Sequence, residues 1–214
     1  TDDELVFTPG GFGWPATAAL ARLDLATVPN GLPADELTRI RQSIVTAADG
    51  YLGYVNGQAY SVTLEPVAES YFWGGNSNII NNAIVLATAF DLTGDAKYRD
   101  GALLGVDYIF GRNALNHSYV TGWGTHTSQN QHSRIFGHQL DPSLPNPPAG
   151  SISGGANSNL EDPFAADLLD GCAPQFCFVD DIQSYSTNEV AINWNSALAW
   201  ISSFLADQGA AAVR

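Results

Sequence analysis

The sequence predicts an all-α fold built from helical hairpins, and three observations point to this class. Five segments carry apolar residues at helical spacing, three and four positions apart. Short turns rich in Gly, Pro, Asn or Asp separate the paired segments. The long stretch from Asn113 to Asn188 has neither a sustained helical nor a sustained strand period. Hairpins of this kind would each bury an apolar face against the next one.

The first two helices are predicted near the N-terminus. One is expected from Trp14 to Thr27, with Pro15 in its first turn and Pro29-Asn30-Gly31 as its stop. The other is expected to follow Pro33 and to end at about Tyr54, because two acidic residues favour a helix start and apolar residues then recur at helical spacing. Together they predict the first hairpin.

A second hairpin and a final helix complete the predicted elements. A broad apolar face runs from Asn76 to Phe90, residues 91–95 form a turn, and a second face runs from Tyr98 to Ile109. The last helix is predicted from about Glu189 to Asp207. The faces of the Asn76 and Glu189 helices are broad enough to be buried on more than one side.

The residues between Asn113 and Asn188 are predicted to form long ordered loops. They include six of the eleven prolines, all four histidines and both cysteines. Loops longer than about 15 residues are usually functional or disordered, and the aromatic and histidine content here argues against disorder. We therefore expect an active site on these loops, carried by a helical scaffold.

Composition excludes several classes of partner. The 214 residues include 8 Lys and Arg against 22 Asp and Glu, a net charge of −14, which disfavours nucleic acid and anionic membranes. No apolar run approaches the roughly 18 residues that a membrane-spanning helix needs. Lys97 is the only lysine. Such a surface suits a secreted, extracellular protein.

The ends and the cysteines add two expectations. The chain starts at Thr1 without methionine or a leader-like segment, which predicts a processed piece of a longer product. Cys172 and Cys177 are close enough to form a small disulfide in an oxidising compartment. Two free thiols or half of a metal site are the alternatives. A zinc site needs two more ligands, and no suitable spacing of His, Cys or Asp predicts a metal site.

The densest chemical signal lies between Phe178 and Ser196. Glu189 stands at the junction between a polar run and an apolar helix, and Asp180 and Asp181 are near enough in sequence to fold back toward it. Burial and neighbouring carboxylates would favour the protonated form that a general acid needs. The alternative is a first-turn carboxylate that complements the helix dipole, and from this residue alone that reading is favoured.

The full pattern of this segment resembles the C-terminal active-site signature of family 9 glycoside hydrolases, the inverting cellulases. The spacing of aromatic, Asp, Glu, Asn and small residues in that signature is met at every position from Phe178 to Ser196. The resemblance implies that Glu189 is the general acid that protonates the leaving glycosidic oxygen. It also implies that Asp180 is an essential supporting carboxylate.

Two further motifs extend the resemblance to roughly residues 14–206. Ser118-Tyr-Val-Thr-Gly122 precedes His132-Ser-Arg134, and Tyr71-Phe-Trp-Gly-Gly-Asn76 resembles a second family segment. The implied substrate contacts are those of His132, Arg134, Trp73, Tyr185 and Trp123. Three positions depart from the family pattern, namely Gly75, His126 and Gln131.

The resemblance implies helical hairpins that form about half of an (α/α)6 barrel, with residues 1–214 as the C-terminal half of the catalytic domain. Inverting hydrolysis needs a second carboxylate as base. The family supplies it from an Asp-Ala-Gly-Asp segment that this sequence lacks, since Asp49-Gly50 has no companion Asp. A separate polypeptide could supply the base, the chain could be cut from a longer enzyme, or it could bind glucan without hydrolysis. A different enzyme on the same scaffold is disfavoured by the complete signature.

The implied function is inverting hydrolysis of β-1,4-glucosidic bonds in cellulose or related β-glucans. The implied partners are this substrate and the N-terminal half of the domain. No cofactor is required for the chemistry. Structural calcium is possible, with oxygen ligands from a cluster of acidic loop residues, although a solvated acidic loop is the favoured reading. That cluster contains Glu161, Asp162, Asp167, Asp170, Asp180 and Asp181.

Overall fold

The structure is a computed structural model that describes residues 6–66 and 70–211. Within these residues it contains seven α-helices, two single-turn 3₁₀ helices and no β-strand. This confirms the all-α class. The α-helices are α1 (Thr17–Thr27), α2 (Ala34–Gly57), α3 (Gly75–Thr93), α4 (Ala96–Ile109), α5 (Pro163–Leu169), α6 (Tyr185–Asn188) and α7 (Ile192–Ala211). The 3₁₀ helices are Ala59–Ser61 and Pro174–Phe176.

The helices α1 to α4 correspond to the four predicted in this part of the chain, with shifted ends. The helix α3 continues to Thr93, past the start of the predicted turn. It ends there because Gly94 adopts a left-handed conformation with φ of 74°, and its N–H bonds the Phe90 carbonyl at 2.7 Å. Asp95 then caps α4 by accepting a hydrogen bond from the Lys97 N–H at 3.1 Å.

The last helix begins at Ile192, so the predicted start at Glu189 was wrong. Glu189 follows α6 in extended backbone, with φ of −64° and ψ of 154°. The cause lies in tertiary contacts: Glu189 pairs with His132 in a parallel bridge, and its carbonyl accepts a hydrogen bond from the Gly154 N–H at 2.9 Å. Backbone groups bonded to neighbouring loops do not also form a helical turn. The alternative reading of Glu189 as a first-turn carboxylate is therefore removed.

The long stretch between Asn113 and Asn188 contains short helices that its lack of period did not predict. The helix α5 begins where the Asp162 carboxylate accepts a hydrogen bond from the Ala165 N–H at 2.7 Å, with Pro163 in the first turn. This is a common helix start, in which the cap satisfies a free N–H and proline loses no hydrogen bond. The rest of the stretch is mostly loop, as expected.

The chain divides into two compact units, which are described separately. We call the described residues of Thr1–Glu65, Asn78–Gly105 and Trp200–Arg214 the helical unit. We call Pro66–Ser77 and Val106–Ala199, where described, the loop unit. All seven site residues predicted from the sequence fall in the loop unit.

The helical unit packs α2, α3 and α4 around an apolar core. Leu52 of α2 and Leu86 of α3 lie so close to Gly101 of α4 that a Cβ atom there would come within 2.5 Å and 3.5 Å of them. Asp49 of α2, the residue that most resembled a catalytic base in sequence, accepts a hydrogen bond from the Tyr98 hydroxyl at 2.8 Å. It also pairs with Lys97 at 3.1 Å.

The loop unit is held together by isolated backbone bridges and side-chain hydrogen bonds. Bridges among the described residues join Ser118 to Thr127, Val120 to Ile152 and His132 to Glu189. The last of these connects two loops that are distant in sequence and holds the segment around Glu189. No helix in the part of the chain that the structure describes has the length and apolarity needed to cross a membrane.

Candidate active site

The backbone around Glu189 is held on two sides by loops of the same unit. The His132 N–H donates to the Asn188 carbonyl at 2.9 Å, and the Gly154 N–H donates to the Glu189 carbonyl at the same distance. Gly155 adds a bond from its N–H to the Thr187 carbonyl at 2.8 Å. The half-buried Glu189 side chain therefore projects from a fixed stretch of chain.

The Glu189 side chain meets three of the predicted substrate-contacting residues in one cluster. The Trp73 indole Nε1 donates to Glu189 Oε2 at 2.8 Å. The Trp73 and Tyr185 ring centroids are 5.4 Å apart, and those of Tyr185 and His132 are 5.7 Å apart. Because His132 also pairs with Glu189 through the backbone bridge, the four residues form a closed cycle of contacts. We call this set the acid cluster.

The orientation of the His132 ring is defined by the backbone behind it. Its Nδ1 lies 2.5 Å from the Ile182 carbonyl oxygen. A carbonyl oxygen only accepts hydrogen bonds, so Nδ1 carries the proton and donates it. In the neutral ring Nε2 is then an acceptor, able to receive a hydrogen bond from a sugar hydroxyl.

The Asp180 carboxylate orders the loop that leads to His132. Its oxygens accept hydrogen bonds from the Gln129 N–H at 2.7 Å and the Asn130 N–H at 2.9 Å. The Asn188 side chain donates a third at 3.0 Å. Asp180 is thus tied to Asn188, the residue preceding Glu189. Its role as an essential supporting carboxylate stays a prediction.

Asn188 is a buried connection point that the sequence analysis did not identify. Its Nδ2 donates to the Asn130 carbonyl at 2.8 Å as well as to Asp180, and its Oδ1 accepts from the Ser153 hydroxyl at 2.8 Å. A buried amide with satisfied donors and acceptor fixes the relative position of the loops that it joins. No local pattern marked this role, because its partners Asn130 and Ser153 are distant in sequence.

Asp162 holds α6 in place through hydrogen bonds, a structural role that the sequence did not predict. Its buried carboxylate accepts hydrogen bonds from the Ser186 N–H and hydroxyl at 2.9 and 2.5 Å, and from the Ser184 hydroxyl at 3.1 Å. Burial alone would raise the pKa of Asp162. The hydrogen bonds from Ser186, Ala165 and Ser184 outweigh it, so the pKa lies below its usual value.

The Trp194 ring packs against two glycines near Glu189, Gly74 and Gly154. A Cβ atom on Gly74 would lie 2.7 Å from Trp194 Cζ2, and one on Gly154 would lie 3.3 Å from its ring. Gly74 follows Trp73, while Gly154 bonds the Glu189 carbonyl. Because both positions lack a side chain, the Trp194 ring packs directly against the two backbones that position the acid and the indole.

Gln131, which departs from the family pattern, has a structural role. Its buried Nε2 donates to the Ser151 carbonyl at 2.9 Å and to the Ser153 hydroxyl at 3.0 Å. It therefore links the loop before His132 to the loop before Gly154. The departure at His126 falls on an exposed residue whose carbonyl accepts a hydrogen bond from the Ser118 N–H at 2.7 Å.

Arg134 and Trp123 are not joined to the acid cluster. Arg134 is exposed two residues after His132, and Trp123 is 60% exposed, against 39% for Trp73. Among the contacts of residues 6–66 and 70–211, none links either of them to Glu189. The two side chains remain available at the surface of the loop unit, and their predicted role as substrate contacts stays a prediction.

The cysteines and several of the acidic loop residues have partners within the chain. Cys172 and Cys177 form a disulfide, with Cα atoms 5.4 Å apart. Glu161 accepts a hydrogen bond from Asn157 at 2.5 Å, and Asp181 accepts one from Gln139 at 2.7 Å. No group of three or more His, Cys, Asp or Glu side chains in the described residues is arranged to hold a metal ion.

Comparison with known sequences identifies relatives among cellulose-degrading enzymes. The chain is 56% identical over 209 residues to endoglucanase C of Cellulomonas fimi, covering 96% of this chain and 19% of that protein. It is 42% identical over 200 residues to a cellulose 1,4-beta-cellobiosidase of Acetivibrio thermocellus, covering 92% of this chain and 22% of that protein. The chain thus spans about a fifth of the length of these two relatives.

Comparison with solved structures identifies enzymes of glycoside hydrolase family 9. The GH family 9 endoglucanase J30 superposes with a TM-score of 0.82 at 27% identity, covering 95% of this chain and 37% of that one. AaCel9A, solved in complex with cellobiose-like isofagomine, gives a TM-score of 0.79 at 27% identity, covering 95% of this chain and 38% of that one. These likenesses confirm that the helical hairpins are part of the fold of family 9 enzymes.

The model of one protein family matches residues 4–202, nearly the whole chain, and that family is glycosyl hydrolase family 9. The match includes every segment on which the acid cluster is built. The chain therefore belongs to glycosyl hydrolase family 9.

Proposed function

We propose that this chain supplies the general acid of an inverting β-1,4-glucan hydrolase, and that Glu189 is that acid. One observation carries the proposal: a half-buried carboxylate, fixed by an indole N–H, is flanked by two aromatic rings and an imidazole. Carbohydrate sites commonly combine aromatic faces with a few fixed polar groups. The endoglucanase and cellobiosidase names of the relatives support a β-glucan substrate.

The catalytic base is proposed to come from the N-terminal half of the same domain. Inverting enzymes place two carboxyl groups about 6.5–9.5 Å apart, with water between the base and the sugar. This chain has no Asp-Ala-Gly-Asp segment, and it covers only 37% of the family 9 structure J30. The remaining part of a family 9 domain is long enough to carry the base. We therefore assign residues 1–214 to the C-terminal half of one catalytic domain.

The proposed reaction needs no cofactor. The protonated Glu189 carboxyl gives its proton to the glycosidic oxygen as the bond from that oxygen to C1 breaks. Water attacks C1 from the opposite face and gives a proton to the base. Asp180 holds the loop before His132, while His132, Tyr185, Trp73, Arg134 and Trp123 contact the sugar. The fixed rings hold the substrate close to the acid.

Replacing Glu189 by glutamine in the complete catalytic domain tests the proposal. We expect turnover of cellooligosaccharides to fall about 10²- to 10⁴-fold, the usual contribution of general acid catalysis. An aryl cellobioside with a dinitrophenolate leaving group needs no protonation, so its turnover should be nearly unchanged. Glu36→Gln, which alters a partly exposed glutamate of α2, is the matched control. Wild-type turnover of cellooligosaccharides by Glu189→Gln would remove Glu189 as the acid.

The alternative function is glucan binding without hydrolysis. The absence of the base segment from this sequence favours it for the chain by itself. The native mass of purified material, compared with its denatured mass, decides whether a second polypeptide is present. Turnover restored by adding an N-terminal half with paired aspartates supports the assembled enzyme. Glucan affinity without turnover in that assembly supports the binding function.

We further propose that the protein is extracellular. The Cys172–Cys177 disulfide supports this location, because disulfides persist mainly in oxidising compartments. The test is to recover the protein separately from culture fluid and from cells and to alkylate it before and after reduction, followed by mass measurement of the peptide that contains both cysteines. Protein found only in cells, with both thiols alkylated without reductant, would contradict the proposal.

A further inference from the structure

We propose that Trp73 is a positioning residue that fixes Glu189 through Oε2, so that the proton transferred to the substrate is carried by Oε1. The inference rests on the proposed function, because it concerns the same acid. It adds which oxygen of the carboxyl reacts and which side chain selects it. The carrying observation is the single hydrogen bond of 2.8 Å between Trp73 Nε1 and Glu189 Oε2.

The chemistry of the indole assigns the two oxygens. An indole N–H only donates, so Oε2 must act as an acceptor whether Glu189 is charged or neutral. In a neutral carboxyl the carbonyl oxygen is a stronger acceptor than the hydroxyl oxygen, so the indole contact favours the form in which Oε2 is the carbonyl oxygen and Oε1 carries the proton. An ordinary carboxylic acid can carry its proton on either oxygen, and a fixed donor at Oε2 shifts that balance toward Oε1.

The Trp73 indole is held in place from several directions. Its ring packs against Tyr185 with centroids 5.4 Å apart and an interplanar angle of 42°. The next residue, Gly74, has φ of 77° and lies against the Trp194 ring. The backbone of Glu189 is in turn fixed by His132 and Gly154. A donor and an acceptor that are both held by their surroundings give a preorganised hydrogen bond.

The hydrogen bond persists through the proton transfer. The Oε1 proton moves to the glycosidic oxygen, which takes the electron pair of the breaking bond to C1. The attacking water joins C1 and gives its proton to the base of the other half of the domain. Glu189 is left as a carboxylate, and the indole N–H donates to its charged form. Hydrogen bonds to ionised groups are stronger than neutral ones, so this contact stabilises the state that forms as the proton leaves.

A pure stacking role for Trp73 predicts different behaviour. A sugar platform acts through the ring face, and replacing the N–H group while keeping the ring would leave its contribution largely intact. A positioning role acts through the indole edge and changes the proton transfer alone. The two roles therefore separate in the dependence on leaving group and in the division of the effect between kcat and KM.

The experiment replaces Trp73 in the complete catalytic domain with β-(3-benzothienyl)alanine, a ring isostere of tryptophan that has sulfur in place of the N–H group. We expect kcat on cellooligosaccharides to fall about 10- to 100-fold, the effect of losing one charge-assisted hydrogen bond in the transition state. KM should stay within about twofold, and so should kcat on the dinitrophenyl cellobioside, which needs no acid. Trp73→Phe should show the same kcat loss on cellooligosaccharides together with a raised KM.

Trp14, which is 74% exposed in the helical unit, receives the same isostere as the matched control and should behave as wild type. An unchanged kcat, an equal loss on both substrates or a loss confined to KM in the Trp73 isostere would each overturn the inference. Glu189→Gln measured in parallel separates this failure from that of the proposed function. If that variant loses turnover of cellooligosaccharides while the isostere keeps it, only the role of Trp73 falls. If Glu189→Gln keeps that turnover, Glu189 is not the acid, and both the proposed function and the role of Trp73 are wrong.

Discussion

The helical unit and the loop unit bury different kinds of side chain. Apart from tyrosines, the buried polar side chains in the described residues of the helical unit are Thr63, Asn82 and Thr88, whereas the loop unit buries a long series of Asn, Ser, Thr, Gln and Asp residues. Apolar burial has no preferred direction, while a buried hydrogen bond requires defined partners and angles. The helical unit is therefore stabilised mainly by buried apolar area, and the candidate site by specific hydrogen-bond geometry.

The largest effect is expected from a cavity in the helical unit. Leu86→Ala removes a fully buried side chain that packs near Gly101, and it should lower the free energy of unfolding by about 3 kcal/mol. Leu103→Ala, on the exposed side of α4, is the control and should change it by less than about 1 kcal/mol. Urea unfolding of the complete domain measures both. Equal losses in the two variants would contradict an apolar core at Leu86.

The activity of Leu86→Ala tests whether the acid cluster depends on the apolar core of the helical unit. Because Leu86 lies in the apolar scaffold, we expect kcat per folded molecule to remain near the wild-type value at temperatures well below the unfolding transition. A fall in kcat of the fully folded protein would mean that the geometry of the acid cluster depends on the packing of the helical unit. That result would mean that the apolar core of the helical unit and the hydrogen-bonded site are not independent.

A pair of glycines compares the two units at equal backbone conformation. Gly74 and Gly94 have φ of 77° and 74°, so alanine meets the same left-handed penalty of about 1 kcal/mol at each. A new Cβ at Gly94 meets nothing within 4 Å, whereas at Gly74 it would lie 2.7 Å from the Trp194 ring. Gly74→Ala should therefore lower the free energy of unfolding by about 2 kcal/mol and Gly94→Ala by about 1 kcal/mol.

The glycine pair should also differ in activity. Displacement of Trp194 or of the 73–74 backbone would move the indole away from Glu189, so we expect kcat on cellooligosaccharides to fall in Gly74→Ala and to stay constant in Gly94→Ala. Thermal unfolding and steady-state kinetics of both variants provide the measurements. Identical behaviour of the two alanine variants would mean that only the backbone conformation matters at Gly74.

The predictability of the two units follows from the same contrast. The helices α1 to α4 were predicted because apolar periodicity is a local signal and their cores use apolar area. The start of α7 was missed because the backbone at Glu189 bonds residues 132 and 154, which are distant in sequence. The helix α5 was missed because the absence of a long period concealed a short capped turn.

The candidate site was predictable only in part, for the same reason. Three separated motifs suggested Glu189, Trp73, Tyr185 and His132, and the structure brings these four together. Asn188 and Asp162 gave no such signal, since their hydrogen-bond partners Asn130 and Ser184 lie 58 and 22 residues away. A buried amide or carboxylate is recognised as structural only once its distant partners are known.

The smallest effect is expected at Asp162, and it depends on pH. Hydrogen bonds in the folded chain lower the pKa of Asp162 below its usual value near 3.8, although burial acts in the opposite direction. A carboxyl with a lowered folded-state pKa stabilises the fold above its unfolded-state pKa, and this contribution disappears as pH falls through the folded-state value. Asp162→Asn should therefore lower the free energy of unfolding by about 1 kcal/mol at neutral pH, and the difference from wild type should shrink below about pH 4.

Urea unfolding of both proteins between pH 7 and pH 3 checks the sign of this change. Asp167→Asn, which alters an exposed residue on the same helix α5, controls for the loss of one negative charge. A constant difference between Asp162→Asn and wild type across this range would mean that the shape of the side chain matters and its charge does not. If the difference in unfolding free energy between Asp162→Asn and wild type shrinks on acidification, the ionised form of Asp162 stabilises the fold. The loop unit then loses stability as this one buried carboxylate is protonated. The apolar core around Leu86 has no equivalent dependence on pH, so the same titration of Leu86→Ala should run parallel to wild type.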